Sequence, residues 1–332
     1  WGPQNMLAEQ IVELLLRQGR KVAPQMSIYA DSSAFMDLDS GDILLLDGEP
    51  YLIRRNEIES GFGMDGDPKY WVKRTINLET GETHIIKLVF FEEFWQKLGG
   101  FDVRFFRSPE KEAEVLDLVR SHPFFMHGTW TTDSADNNVR IIQFIRGPSL
   151  PQLISRIDRG YEEYVQSDLP IVLQGLVSCL DSLSWLHSNN LVHGDVRWDH
   201  IIWDRENGRF RWIDFDYTYN FPENPFGADI FGVGKILANV IGYGPKFYHD
   251  VKHNRLFSDF ISDLTPEDFS IVENNRMMIL KKLYPFIPEG LNNILLRFSG
   301  HSEVFYETAN EIANDLREVL AKEFSPALSM VP

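Results

Sequence analysis

Apolar residues recur at the spacing of a half-buried helix in several parts of the chain. Residues 5–18, which Gly19 can end, and the segment around residues 312–320 each carry such a stripe. Another helix is expected to start with Ser108 as its cap and Pro109 in its first turn. The longest stripe lies in residues 169–188 and is formed by Leu173, Leu176, Val177, Leu180, Leu183 and Leu186. A helix with that apolar face packs in a protein core, so we expect residues 169–188 to form a long core helix.

Strands are predicted where apolar and polar residues alternate between short turn motifs. Residues 42–57 alternate on both sides of Asp47-Gly48, a pair that favours the tight turn of a β-hairpin. A second turn at Thr80-Gly81-Glu82 leads into the apolar run at residues 83–90. The first half of the chain is therefore expected to contain antiparallel strands.

Composition argues against some classes of partner. The chain has 332 residues, 43 % of them hydrophobic and 24 % charged, which is the balance of an ordinary folded protein. Its formal net charge of −17 argues against a nucleic-acid surface and against an anionic membrane, since both favour basic patches. Cys179 is the only cysteine, which excludes an internal disulfide and fits a reducing compartment. Without a membrane-spanning run of about 20 apolar residues or a secretory signal pattern, a soluble cytoplasmic protein is expected.

Candidate chemistry concentrates in residues 191–216, where two apolar runs are flanked by acids. Asp195 stands just before the first run, and Asp214 follows the second. Asn207-Gly208 between the runs predicts a hairpin turn. Because the two strands are then antiparallel neighbours, both carboxylates are expected at the same end of the hairpin.

The order of these residues resembles the catalytic loop and metal-binding segment of the protein-kinase-like superfamily. There the pattern is H-x-D, four residues, Asn, and a hairpin leading to D-F-G. This chain has His193-Gly194-Asp195, then His200 in place of the Asn, and Asp214-Phe215-Asp216 in place of D-F-G. The resemblance covers roughly residues 50–320 and is more specific in the catalytic half.

The resemblance implies an α+β, bilobal fold with a small β-rich N-lobe and a larger, mainly α-helical C-lobe. We expect an N-terminal helical extension at residues 1–41, the N-lobe at residues 42–142 and the C-lobe at residues 143–328. The aromatic segment at residues 90–106 is expected to be an insertion that packs on the small lobe. The helix beginning at Asp229 resembles the family's buried helix whose leading acid ties down the catalytic loop.

The resemblance also implies an ATP site in the N-lobe. A G-x-G-x-x-G motif between two strands supplies the glycines that would approach the phosphates, namely Gly61, Gly63 and Gly66. Asp67-Pro68 follows where the family has a Val soon after the third Gly, so this loop is longer than in kinases. The motif does not precede a helix, which disfavours a dinucleotide-binding fingerprint.

Other nucleotide contacts follow from the same resemblance. Lys87, inside an apolar strand, is expected to hold the α- and β-phosphates of ATP. Its partner is expected to be Glu112 on the following helix, with Glu114 as the alternative. The backbone from Gln143 to Ile145 corresponds to the hinge and is expected to hydrogen-bond adenine.

The catalytic assignments rest on the loop and on the segment after the hairpin. Asp195 is expected to accept or orient the proton of the acceptor hydroxyl, and Asp214 to hold Mg²⁺. Asp216 and His200 are the further candidate metal ligands, and an imidazole ligand would favour Mn²⁺. The alternative for His200 is a hydrogen bond within the loop. Arg197 is either a cation near the transferred phosphate or one partner of a structural ion pair.

Two departures bear on the type of kinase. Gly194 replaces the Arg of H-R-D, and only about a dozen residues, 217–228, follow the metal-binding segment. Together with the acid at Asp216, these features resemble aminoglycoside and choline kinases, and the His at position 200 resembles lipopolysaccharide core kinases. The Lys87 strand and the last helix instead resemble bacterial Ser/Thr kinases of the eukaryotic type.

Three functions remain open from the sequence. The first is an ATP-dependent kinase that phosphorylates Ser or Thr hydroxyls of a protein. The second is the same chemistry on a small molecule, and the third is a nucleotide-binding pseudokinase that acts as a scaffold. Retention of Lys87, Asp195 and Asp214 together favours activity, because a scaffold does not need the carboxylate of Asp195.

Overall fold

The computed structural model describes residues 3–58 and 66–324. The helices are α1 Pro3–Arg17, α2 Pro109–Leu118, α3 Leu150–Ser155, α4 Tyr161–Ser167, α5 Leu169–Ser188, α6 Gly227–Ile241, α7 Tyr248–Lys252, α8 Ser258–Ile261, α9 Leu280–Leu283, α10 Glu289–Leu296 and α11 Ala309–Glu323. The strands are β1 Ile28–Tyr29, β2 Ile43–Leu46, β3 Glu49–Ile58, β4 Pro68–Asn77, β5 Thr83–Lys87, β6 Glu93–Leu98, β7 Phe101–Arg107, β8 Gly128–Thr132, β9 Asn138–Gln143, β10 Ile201–Asp204, β11 Arg209–Trp212 and β12 Tyr217–Asn220.

The chain divides into two compact units, neither of which is a continuous segment. Unit 1 consists of residues 1–92, 107–122 and 126–145. Unit 2 consists of residues 93–106, 123–125 and 146–332. Strands and helices are both abundant, so the predicted α+β class is confirmed.

Unit 1 is built on a seven-stranded sheet with the order β1-β2-β3-β4-β5-β9-β8. The predicted turn between β2 and β3 is present, and both of its residues have positive φ, 50° at Asp47 and 82° at Gly48. This is the combination that a two-residue hairpin turn requires. The turn before β5 is also present, with a φ of 78° at Gly81.

The N-terminal helix packs on this sheet rather than standing apart from it. Ile11 and Leu15 of α1 are buried in one cluster with Ile43, Leu52 and Leu78. The helix stops where the sequence predicts, because the amide of Gly19, which has a φ of 67°, bonds back to the carbonyl of Leu16.

A buried lysine fastens the next part of the N-terminal segment to the sheet. Lys73 of β4 is 0 % exposed, and its Nζ donates hydrogen bonds to the carbonyls of Phe35 (2.9 Å) and Leu38 (2.7 Å). A third bond joins Nζ to Oδ1 of Asn56 at 2.7 Å. Three acceptors satisfy the three donors of the ammonium group, so the segment around residues 35–38 is an integral part of unit 1.

Unit 2 is centred on α5, whose bounds are those predicted from its apolar stripe. The helix packs against α4, α11 and the β11 strand. By length and composition alone α5 could also cross a membrane, which the sequence analysis did not expect. However, 61 % of the most apolar 18-residue stretch of α5 is buried inside the protein, as in a core helix.

The predicted hairpin at residues 201–212 is present, but its turn is longer than expected. Strands β10 and β11 pair from Ile201 opposite Trp212 to Asp204 opposite Arg209, which leaves a four-residue loop. The carboxylate of Asp204 accepts hydrogen bonds from the backbone amides of Glu206 and Asn207. The acid that caps the loop, rather than Asn207-Gly208 alone, therefore sets the turn.

The aromatic insertion does not pack where the sequence analysis placed it. Residues 93–106 form the β6–β7 hairpin and belong to unit 2, where the sheet order is β12-β7-β6. The buried cluster of this sheet consists of Leu98, Val103, Phe105, Tyr217, Tyr219 and Phe221. The insertion therefore packs against the strand that follows Asp214-Phe215-Asp216.

Candidate active site

A buried ion pair joins the predicted lysine and glutamate in unit 1. The distance between Nζ of Lys87 and Oε1 of Glu112 is 2.8 Å, and the two residues are 3 % and 0 % exposed. The pair forms because Lys87 ends β5 and Glu112 lies in the first turn of α2, whose predicted cap Ser108 accepts a bond from the amide of Lys111. Glu114, the alternative partner, is exposed on the same helix.

A third charged residue, Arg140, was missed by the sequence analysis. Its Nε lies 3.1 Å from Oε2 of Glu112, and the residue is 1 % exposed. Arg140 is directly opposite Lys87 in the β5–β9 pairing. In the sequence it lies in an apolar strand, where a lone Arg gives no sign of its partner.

The other candidate nucleotide residues of unit 1 are placed only in part. Gly61 and Gly63 lie outside the described residues, whereas Gly66 is half-buried just before β4. Gln143 is the exposed last residue of β9, and its amide donates to the carbonyl of His127 at 2.9 Å. Ile145 follows as a half-buried residue outside the strand.

In unit 2 the structure brings the loop acid, the histidine and the acid after the hairpin together. Nδ1 of His200 lies 2.9 Å from the carbonyl oxygen of Asp195 and 3.4 Å from its Oδ2. Nε2 of the same ring lies 3.6 Å from Oδ2 of Asp214. Because a carbonyl oxygen only accepts, Nδ1 carries the proton, and in the neutral ring Nε2 presents its lone pair towards Asp214.

Burial tunes the carboxyl group of Asp195. It raises the pKa of Asp195 above its usual range, and the neighbouring carboxylates of Asp214 and Asp216 act in the same direction. His200, when its ring is protonated, and Arg197 oppose this increase. A carboxylate with a raised pKa accepts a proton more readily, which suits a general base.

The segment after the hairpin holds two acids in different surroundings. Asp214 has a φ of 62°, a left-handed conformation that Asp adopts more readily than most residues and that clusters at functional sites. Asp216, two residues further on, is 2 % exposed. Phe215 between them is buried and lies edge-on to the ring of His193, with ring centres 5.9 Å apart.

The leading acid of α6 ties down the backbone of the catalytic loop, as the sequence analysis expected. Asp229 is buried, and its carboxylate accepts bonds from the amides of His193 (2.7 Å) and Gly194 (2.9 Å). A third contact comes from Nε2 of His187 at 2.9 Å. Burial alone would raise the pKa of Asp229, but the hydrogen bond and charge of His187, together with His193 and the amide of Gly194, hold the pKa below its usual range.

Arg197 takes part in an ion pair with a neighbour on the same loop. Its Nη2 and Nε lie 2.7 and 3.1 Å from the two carboxylate oxygens of Asp199. Burial opposes ionisation of Asp199, but His200 when protonated, together with the charge and hydrogen bonds of Arg197, holds the pKa of Asp199 below its usual range. The two-point contact is the ion pair that the sequence analysis gave as the alternative for Arg197.

The arrangement does not contain a complete metal cage. Among residues 3–58 and 66–324, no group of three or more His, Cys, Asp or Glu side chains is arranged to hold an ion. Magnesium in phosphotransferases is commonly bound by one or two carboxylates, substrate phosphates and water rather than by an all-protein cage. Asp214 with Nε2 of His200 is a donor set of that incomplete kind.

Comparisons with known proteins match the chain to protein kinases in sequence. It is 23 % identical over 157 residues to mitogen-activated protein kinase kinase kinase 1 of Rattus norvegicus. This alignment covers 45 % of this chain and 10 % of that protein. It is 25 % identical over 212 residues to the membrane-associated tyrosine- and threonine-specific cdc2-inhibitory kinase of Drosophila melanogaster. This alignment covers 51 % of this chain and 36 % of that protein. The matches thus span about a tenth and about a third of these relatives.

The comparisons with solved structures and with family models give weaker results than the sequence matches. The kinase domain of Mycobacterium tuberculosis PknI aligns with 85 % of this chain and 98 % of its own length, at a TM-score of 0.48 and 14 % identity. No family model matches the chain. The buried Lys87–Glu112 pair and the anchored loop at residues 193–195 are arranged as the resemblance to the protein-kinase-like superfamily implies, and the relatives that match in sequence are protein kinases.

Proposed function

We propose that the chain is an ATP-dependent phosphotransferase that transfers the γ-phosphate to a Ser or Thr hydroxyl of a protein. The observation that carries the proposal is the way Asp195 is held. Its amide donates to Nδ1 of His193 at 3.3 Å, and its carbonyl accepts from Nδ1 of His200 at 2.9 Å. A protein that only bound nucleotide would have no use for a carboxylate fixed in this way.

Several of the described residues would bind ATP and a divalent cation. Phosphoryl transfer requires positioning and charge neutralisation from the protein, and Mg²⁺ or Mn²⁺ would, when bound, neutralise phosphate charge. Lys87, held by Glu112, would contact the α- and β-phosphates, and Gly66 of the glycine motif is a further candidate phosphate contact. The backbone of Gln143 and Ile145 would contact adenine.

The loop residues would act on the acceptor and on the metal. Asp195 would accept the proton of the acceptor hydroxyl, for which its raised pKa is suited. Asp214 and Nε2 of His200 would bind the cation, and Asp216 is the third candidate ligand. Arg197 would contribute positive charge near the transferred phosphate only where it can leave Asp199.

A small-molecule acceptor is the second candidate, and one observation favours it. Gly194 has no side chain where kinases that respond to activation-segment phosphorylation carry an Arg, and β12 begins directly after Asp216. Without that cation the loop cannot bind a phosphorylated activation segment. These features fit kinases of small hydroxyl compounds as well as unregulated protein kinases.

Incubation with γ-labelled ATP distinguishes these functions. The purified chain is supplied with Mg²⁺ or Mn²⁺ and tested alone, with desalted cell protein, and with a protein-free extract. Label on protein Ser or Thr is expected, and label in the protein-free extract would instead favour the second candidate. Binding of ATP without transfer in all three samples would contradict the proposal and favour a scaffold. The Asp195→Ala variant is the control for contaminating kinases.

A further inference from the structure

Two buried cations share the carboxylate of Glu112. Lys87 contacts Oε1 at 2.8 Å, and Arg140 contacts Oε2 at 3.1 Å, so each carboxylate oxygen has its own partner. All three residues are at most 3 % exposed. The cluster therefore places two cations on one carboxylate, in a place from which water is excluded.

The guanidinium of Arg140 is fixed independently of Glu112. Its Nη1 donates to the carbonyl of Asn138 at 2.6 Å and its Nη2 to the carbonyl of Leu88 at 3.2 Å. Arg140 is thus held by the sheet on two sides while its Nε faces the glutamate. A planar, multi-donor group of this kind positions a carboxylate more firmly than a lysine does.

The contact between Arg140 and Glu112 increases the free energy needed to move α2 away from the sheet. Kinases depend on the position of the corresponding helix, because activity requires the Lys–Glu pair to be in place. If α2 moved away here, Arg140 as well as Lys87 would lose its contact with the carboxylate of Glu112. Buried charges that lose their partner are strongly unfavourable.

We propose that Arg140 is a positioning residue that holds Glu112, and through it Lys87, in the ATP-binding arrangement without a regulatory signal. The inference rests on the proposed function, since it assigns Lys87 to the phosphates of ATP. It goes beyond that function by explaining how a chain without the Arg of H-R-D keeps the pair assembled. Arg140 touches neither reactant in this scheme and acts only through Glu112.

Affinity for a fluorescent ATP analogue with Mg²⁺ is the first readout, measured on the full chain. Arg140→Met is expected to weaken binding roughly tenfold, and Arg140→Lys to weaken it less, because it keeps a cation beside Glu112. In a Glu112→Gln background, Arg140→Met is expected to have no further effect. Equal affinity of Arg140→Met and the wild type for the analogue would overturn the inference. It would also be overturned if Arg140→Met reduced the affinity equally with Glu112 and with Glu112→Gln.

Amide hydrogen exchange in α2 is the second readout and requires no nucleotide. Arg140→Met is expected to speed exchange in residues 109–118, whereas Lys73→Met, which removes another buried cation of the same sheet, is not. Unchanged exchange in Arg140→Met would also overturn the inference. If Arg140→Met does not fold, Arg140→Lys is used in the same comparisons. Failure of the wild-type chain to bind ATP would refute the proposed function instead, and the exchange comparison would still test Arg140.

Discussion

The α-carbon of Gly194 lies directly against the main-chain carbonyl oxygen of Tyr217, so close that a β-carbon at residue 194 would overlap it. Gly194 also has a φ of 88°, which side-chain-bearing residues rarely adopt. These two constraints explain why Gly stands where the H-R-D motif has Arg. The loop is packed against β12, the strand after Asp214-Phe215-Asp216, and carries no cation at residue 194.

Gly194→Ala is therefore expected to destabilise the protein by more than backbone strain alone. Gly208→Ala is the matched control, because Gly208 has a φ of 60° but no atom within 4 Å of a built β-carbon. Strain of this kind costs about 1 kcal/mol, so the control should lose about that much and Gly194→Ala clearly more. Denaturant unfolding of both variants provides the measurement. Equal losses would show that the contact with Tyr217 does not constrain residue 194.

Lys87→Met and Asp195→Ala are each expected to reduce phosphate transfer by a factor of roughly 10²–10³ or more, because each removes a group that acts in the transition state. Neither change should unfold the chain. Transfer of label from ATP is compared with thermal melting of the same samples. Full activity in Asp195→Ala would mean that this carboxylate is not the general base.

The His200 position predicts a dependence on the identity of the metal. Imidazole suits Mn²⁺ better than Mg²⁺, so Mn²⁺ should support ATP binding by the wild type at least as well as Mg²⁺. His200→Asn is expected to shift the preference towards Mg²⁺, and His200→Ala to weaken binding with both metals. Titrations of the three proteins with each metal check this. A His200→Ala variant that matched the wild type with both metals would rule out ligation.

Lys73 predicts a rise in stability at alkaline pH. Burial lowers its pKa to about 8, and the charges of Asp39 and Asp42 only partly oppose this effect. In the unfolded chain the pKa is about 10.4, so between these values the unfolded state binds more protons and the unfolding free energy increases with pH. Between pH 7 and pH 10.5 the unfolding free energy of the wild type should increase by about 3 kcal/mol relative to that of Lys73→Met. Denaturant unfolding of both proteins across this range checks the sign, and parallel curves would contradict it.

Local features were predicted well because neighbouring residues determine them. The turn at Asp47-Gly48 follows from two residues that tolerate positive φ, and the cap at Ser108 follows from a hydroxyl three residues before the amide it binds. The apolar stripe of residues 169–188 gave the bounds of α5.

Long-range partners were not readable in the same way. The pairing of Lys87 with Glu112 came from the family resemblance and not from any local pattern. The role of Arg140 was missed because its partners are two main-chain carbonyls and an acid 28 residues away. The burial of Lys73 was missed for a similar reason, since every residue has a carbonyl and the sequence does not mark which ones converge.

The interleaved path of the chain limits how the protein can be cut into fragments. A polypeptide that starts at residue 146 contains the helices of unit 2 but lacks β6 and β7. The cluster around Tyr217, Tyr219 and Phe221 would then face water in place of the hairpin, and an apolar patch of that kind favours aggregation. A soluble fragment carrying Asp195 and Asp214 therefore has to include residues 93–106, by circular permutation or by co-expression of the hairpin.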